Sequence, residues 1–263
     1  MIERYSLLKN TDNNLNMSTN IYFLIGNSMK NNVYVYLMNK KMDNAEALYL
    51  EKKSKYEKVA RALVESLDDY VSSSGKMNKD ERFITASLIL DSVFDLVGFA
   101  SFPVPGAMKK DGFGKPSFGK SEIKISVAHE ENYAVAAYSI GREIGVDVEG
   151  EIDEKKAEKL ALRFPKIASL NIENKGDKKA VGEKIIFLEM KEDGSAEPLN
   201  LLPADGSFSA KWTAAEALMK CDGRGFSSLS ELDILAEKMA FSSFSFPCEK
   251  EKIYVSIAME EMI

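Results

Sequence analysis

The six residues Ile144-Gly145-Val146-Asp147-Val148-Glu149 constrain this chain more than any other stretch. Side chains on a β-strand alternate between two faces. Ile144, Val146 and Val148 therefore share one face, and Asp147 and Glu149 share the other. The apolar face belongs in a core, so the fold has to hold two carboxylates close together on the far side. Carboxylates at that spacing repel unless a cation or a proton lies between them. A hard divalent ion such as magnesium, keeping several of its waters, suits such a donor set. Taken alone, the same pattern more often describes a solvated acidic face.

Composition narrows the classes. With 263 residues, 45% of them hydrophobic and 29% charged, the chain has the make-up of an ordinary globular protein of one or two domains. A net charge of −6 argues against a nucleic-acid binder that works through a global basic surface. The two cysteines, Cys221 and Cys248, have neither zinc-ligand spacing nor the pattern of a disulfide framework. That suits a reducing cytosol. The start Met1-Ile2-Glu3-Arg4 leads into no apolar signal core, and the apolar stretch over residues 87–108 is broken by Asp91, Asp95 and two prolines. A cytoplasmic protein without a membrane span is the expectation.

Residues 21–25 and 33–38 read as the strands of a hairpin. Asp43, with Glu46 three residues on, starts an amphipathic helix to about residue 70, with Tyr56, Val59, Leu63 and Leu67 on one stripe. A second helix, residues 79–96, is apolar on most sides and so central. Residues 98–119 read as a loop rich in glycine and proline, and 123–127 and 133–140 as strands. Asp153 caps a helix through Arg163. Residues 166–209 read as an inserted hairpin or a mobile excursion around the apolar run 185–190. Residues 211–220 are helical, stopped by Gly223-Arg224-Gly225, and 238–246 and 252–258 are closing strands. Without regular βαβ alternation, the class is α+β and mostly antiparallel.

Several residues could carry chemistry. Trp212, Glu216 and Lys220 recur every four residues on a predicted helix and share its face. That is a tryptophan staple with a surface ion pair, or a third carboxylate for a metal with a lysine for phosphate. Gly114-Lys115-Pro116 offers backbone amides and an ammonium to a phosphate, or is a simple turn. His129, the sole histidine, sits at a strand end, where it either donates to a phosphate or is satisfied structurally. Arg82, at the start of the second helix, reads as a solvated charge.

In order, these pieces resemble the surfactin-synthetase-activating type of 4′-phosphopantetheinyl transferase. The resemblance is carried by Gly114-Lys115-Pro116, Ile125-Ser126-Val127-Ala128-His129, the acidic strand, Arg163-Phe164, Trp212 with Glu216 and Lys220, and Gly223-Arg224-Gly225-Phe226. It spans residues 79–229; residues 1–75 carry no motif of the family. It implies a pseudo-dimer in one chain: two similar α+β halves, residues 1–141 and 142–263, each a small antiparallel sheet packed with a long helix. Coenzyme A would lie between them, and the protein would be a monomer. The family moves the phosphopantetheine arm of coenzyme A onto a serine of an apo acyl or peptidyl carrier protein, with magnesium, and releases 3′,5′-ADP. Matching positions imply Asp147, Glu149 and Glu216 as magnesium ligands and Glu216 and Lys220 as catalytic residues. Arg82, Lys115, Pro116, His129, Asp147 and Lys220 would contact coenzyme A. No nucleic acid and no membrane is implied. The chain departs from the family pattern at Ala215, where lysine is usual, at Ala128, where serine is usual, and in a longer stretch between Phe164 and Trp212. Two alternatives follow: a member that binds coenzyme A or a carrier protein without transfer, and a metal-dependent phosphoesterase.

Overall fold

The computed structural model describes residues 32–41, 44–73, 77–100, 104–172, 185–249 and 251–260. Strand β1 (Val33–Asn39) alternates Val33, Val35 and Leu37 with Tyr34, Tyr36 and Met38, and all six are buried. A strand apolar on both faces lies inside a layered structure. Helices α1 (Ala45–Tyr56), α2 (Arg61–Ser72) and α3 (Lys79–Ala100) follow it. The single helix expected to about residue 70 is thus two, and its expected start at Asp43 lies outside the described residues. Ala60, at φ −138° and ψ 40°, leaves the helical region, and the N–H groups of Val59 and Ala60 both turn back to the Tyr56 carbonyl. Val59, expected on the buried stripe, is 65% exposed at this break. The central helix α3 runs past its expected end at residue 96 to Ala100.

Within the expected loop, β2 (Lys109–Lys110) and β3 (Pro116–Ser117) form a small hairpin. Next come β4 (Ile123–His129), β5 (Tyr133–Ile140), β6 (Ile144–Glu149), α4 (Glu154–Arg163) and α5 (Pro165–Ala168). Asp153 caps α4, accepting from the Lys156 N–H at 3.0 Å. The chain continues through β7 (Ile185–Met190), β8 (Ala196–Pro198), β9 (Leu202–Pro203) and α6 (Phe208–Asp222). A 3₁₀ segment, Gly225–Glu231, leads into α7 (Leu232–Lys238), β10 (Met239–Cys248) and β11 (Glu251–Glu260).

One sheet has the order β4-β5-β1-β7-β8 and is antiparallel except for the β1–β7 pair. The hairpin expected around residues 185–190 is present as β7 and β8, and it is built into the first sheet rather than set apart as a mobile excursion. Ile186 pairs with Tyr34 and Leu188 with Tyr36, completing the sheet that β1 begins. The physical reason is that buried backbone groups need partners. β5 supplies them along one edge of β1 and β7 along the other. Residues 21–25, the expected hairpin partner of β1, lie outside the described residues. The second sheet has the order β6-β11-β10-β9.

Alternation along the strands sorts the layers. Tyr34, Tyr36 and Met38 pack toward α1, α2 and α3. Val33, Val35 and Leu37 pack against Ile144, Val146, Val148, Val255 and Ile257 of the second sheet. On that sheet's far side, Ala214, Ala217 and Leu218 of α6 meet Ala258. The fold is α+β, layered helix, sheet, sheet, helix, and each large side chain buried contributes about 1.5–3 kcal/mol. Among the described residues no helix is long and apolar enough to cross a membrane.

Candidate active site

The acidic face of β6 is turned toward α6, and Gly145 makes this approach possible. A Cβ at that position would stand 2.0 Å from the Ala217 carbonyl oxygen and 2.4 Å from the Cys221 nitrogen. Helix α6 is held at both ends. The Ser207 hydroxyl accepts from the Ala210 N–H at 3.3 Å, and Gly223, at φ 87°, closes the helix on the Met219 carbonyl. A buried hydroxyl chain pins its middle: Ser243 and Ser256 lie 2.8 Å apart, and the Ser256 hydroxyl donates to Thr213 at 2.8 Å. This anchoring carries Glu216 and Lys220 to the acidic strand.

Lys220 Nζ donates to Asp147 Oδ1 at 2.5 Å and lies 3.9 Å from Glu216 Oε2. Asp147 is 4% exposed, and its buried Oδ2 has no hydrogen-bond partner among the described residues. Burial pushes the Asp147 pKa up to about 7; Lys220 opposes this and the Glu216 carboxylate adds to it. Glu149 is raised as well, first by burial and then by Glu216. Burial lowers the Lys220 pKa, but Asp147 and Glu216 outweigh it and the net direction is up. Three carboxylates thus crowd one ammonium.

That imbalance tests whether the residues suit a divalent cation. Among the described residues no trio of His, Cys, Asp or Glu side chains stands ready-made as a metal cage. The donor chemistry nonetheless fits magnesium: hard oxygens only, mutual repulsion, and one orphaned buried oxygen on Asp147.

Strand β4 runs beside β6. Lys124 lies 3.0 Å from Glu143, and the Ser126 hydroxyl accepts from the Val146 N–H at 3.0 Å. These contacts advance in step, so His129 lies toward the Glu149 end of β6. Its pKa is lowered by desolvation and then by Lys40, while Glu81 raises it and Lys220 lowers it. Lys115 and Pro116 mark the opposite end, where they line a cavity of about 130 Å³. Lys115 Nζ donates to Glu143 at 2.6 Å and to the Cys221 carbonyl at 2.9 Å, the electronegative end of α6. Glu143, just before β6, precedes Asp147 by four residues, roughly 13 Å at about 3.3 Å per extended residue. Arg82 is spent elsewhere: Nε donates to the Val71 carbonyl at 3.1 Å and Nη1 to that of Met77 at 2.6 Å, bracing the α2–α3 connection.

The structure therefore brings Asp147, Glu149, Glu216 and Lys220 together with His129 at the same end, Lys115 and Pro116 at the other, and Arg82 on a neighbouring connection. Trp212 does serve as a staple, its ring centroid 5.4 Å from Phe164 and 6.1 Å from Phe226. Ala215 is fully buried in the cluster that includes Ile167, Leu170 and Leu232, so this position faces helix packing. Sequence reasoning missed Lys40, Glu81 and Glu143. The Asn78-x-x-Glu81 spacing, a reciprocal cap at the start of α3, was the available signal for one of them. No family model and no curated protein matches the chain.

Proposed function

We propose that this protein transfers the 4′-phosphopantetheine group of coenzyme A to a serine of an apo acyl or peptidyl carrier protein. The observation that carries this reading is the crowding of Asp147, Glu149 and Glu216 around Lys220 where β6 meets α6. The side-by-side edge strands β4 and β6, and helices on the outer face of each sheet, support a pseudo-dimer of residues 1–141 and 142–263, with β7 and β8 lent to the first sheet. In this reading the protein is cytoplasmic and monomeric.

The serine oxygen attacks the phosphorus that bears the pantetheine arm, the phosphoanhydride P–O bond breaks, and 3′,5′-ADP leaves with the electron pair. A serine hydroxyl is a poor nucleophile at its free pKa and needs a base within reach. Glu216, more open than Asp147 with 22% side-chain exposure against 6%, takes that proton. Lys220 offers its ammonium to charge developing on the departing phosphate. His129, at the carboxylate end, faces the donor's phosphates, and Lys115, held by Glu143 and the Cys221 carbonyl at the opposite end of β6, faces the nucleotide. Asp147, Glu149 and Glu216 would hold magnesium, which when bound neutralises charge on the diphosphate.

Mass spectrometry of an apo carrier protein incubated with this protein, coenzyme A and magnesium tests the reading. The expected result is a gain of one phosphopantetheine, lost with Glu216→Gln or with a chelator. No gain across acyl and peptidyl carrier proteins refutes transfer, and coenzyme A binding without gain identifies the non-transferring alternative.

A further inference from the structure

Lys40, just past β1, is a charged side chain with only 5% exposure. Its ammonium lies 2.7 Å from Glu81 Oε1 and donates to the Glu130 carbonyl at 2.5 Å. Its backbone N–H donates to the Asn132 carbonyl at 2.7 Å. Glu81 is itself fixed, because its second oxygen accepts from the Asn78 N–H at 3.0 Å while its own N–H donates to Asn78 Oδ1 at 2.8 Å. The Glu130 carboxylate closes the turn, accepting from the Asn132 N–H at 2.6 Å. One lysine thus joins the end of β1, the first turn of α3 and the turn that begins beside His129. A buried ammonium is costly unless paired and hydrogen-bonded. Here the bonds to the Glu130 and Asn132 carbonyls fix the turn that follows that histidine, and the bond to Glu81 ties this turn to α3.

We propose that Lys40 is a positioning residue for the reaction: through Glu81 and the Glu130 carbonyl it holds His129 at the carboxylate end of the cleft, facing the donor's phosphates. The consequence for turnover rests on the transferase reading, whereas the clamp rests on geometry alone.

The single histidine of the chain makes the clamp readable, since its imidazole gives one NMR signal. Lys40→Met should move that signal and raise the His129 pKa, because the depressing ammonium is gone and Glu81 remains. Lys40→Arg keeps charge and donors and should restore both. In the transfer assay Lys40→Met should raise KM for coenzyme A about tenfold or more while kcat changes by less than about threefold. A folded Lys40→Met protein with an unmoved histidine signal and unchanged KM overturns the proposal. Should that variant fail to fold, Glu81→Gln must lower the histidine pKa, and an unmoved signal there overturns it equally. Absence of turnover in the wild type would refute the transferase reading, and the histidine signal would still decide the clamp.

Discussion

Gly145→Ala is the most demanding single-atom test of how the acidic strand meets its helix. The added carbon would stand 2.0 Å from the Ala217 carbonyl oxygen and 2.4 Å from the Cys221 nitrogen, against 3.4–4 Å for ordinary contact. Both opposing atoms are backbone, so no side-chain rotation relieves the clash. Helix α6 has to retreat by more than about 1 Å, a large shift for a close-packed interior. Overpacking of this kind costs about 1–3 kcal/mol, and a backbone collision belongs at or above the top of that range, about 3 kcal/mol. That is a sizeable part of the 5–15 kcal/mol typical of a folded domain. The sole tryptophan, Trp212, rides on α6, so its fluorescence during urea unfolding reports on the affected element. Gly141→Ala is the control. Gly141 has φ 78° but, among the described residues, nothing within 4 Å of its missing Cβ, so only backbone strain of about 1–2 kcal/mol applies. If Gly145→Ala cost less than about 1 kcal/mol, or no more than Gly141→Ala, the close approach of α6 to β6 would be refuted.

Other outcomes follow from the same geometry. The folded metal-free protein keeps a proton on Asp147 up to about pH 7, whereas an unfolded aspartate releases it near its ordinary 3.8. The unfolded state therefore binds fewer protons in that window, and stability falls as pH rises through it; urea titrations across the window should show the slope, and Asp147→Asn should flatten it. Glu216→Gln should slow transfer by about 10²–10⁴-fold, read as phosphopantetheine gained per unit time. Lys52, 1% exposed, lies 3.2 Å from Asp91 and donates to the Glu192 carbonyl at 2.5 Å. Lys52→Met leaves Asp91 buried with the Tyr56 hydroxyl but without its counter-charge, and should destabilise the fold by about 3–5 kcal/mol, with Asp91→Leu in the same chain recovering part of the loss.

What could be read from sequence and what could not divides along physical lines. Strand β6 was legible because apolar and acidic residues alternate within six positions, and the burial of Val146 and Asp147 on opposite faces needs no distant information. The shared face of Glu216 and Lys220 follows from helical periodicity, and the start of α4 from the capping aspartate. The break at Ala60 was hidden because the stripe through Tyr56, Leu63 and Leu67 continues across it, whichever way the backbone turns. Pairing of β1 with β7 leaves no local mark, since parallel partners joined across a long crossover share no turn chemistry. Lys40 was invisible for a similar reason. A single lysine after a strand has no period, and only the fold sets it between Glu81 and the Glu130 carbonyl.

The β1–β7 ladder also sets an order of events during synthesis. Val33 finds its partner only when Ile185 has been made. At about 5–20 residues per second, a ribosome needs roughly 8–30 s to cover that distance. Until then one full edge of a strand made of valine, tyrosine and leucine is open to any extended neighbour, the condition under which strands pair wrongly. Release of the first half as a separate fragment would make that wait permanent, so a chain cut between residues 141 and 142 should aggregate unless the second half is supplied in trans.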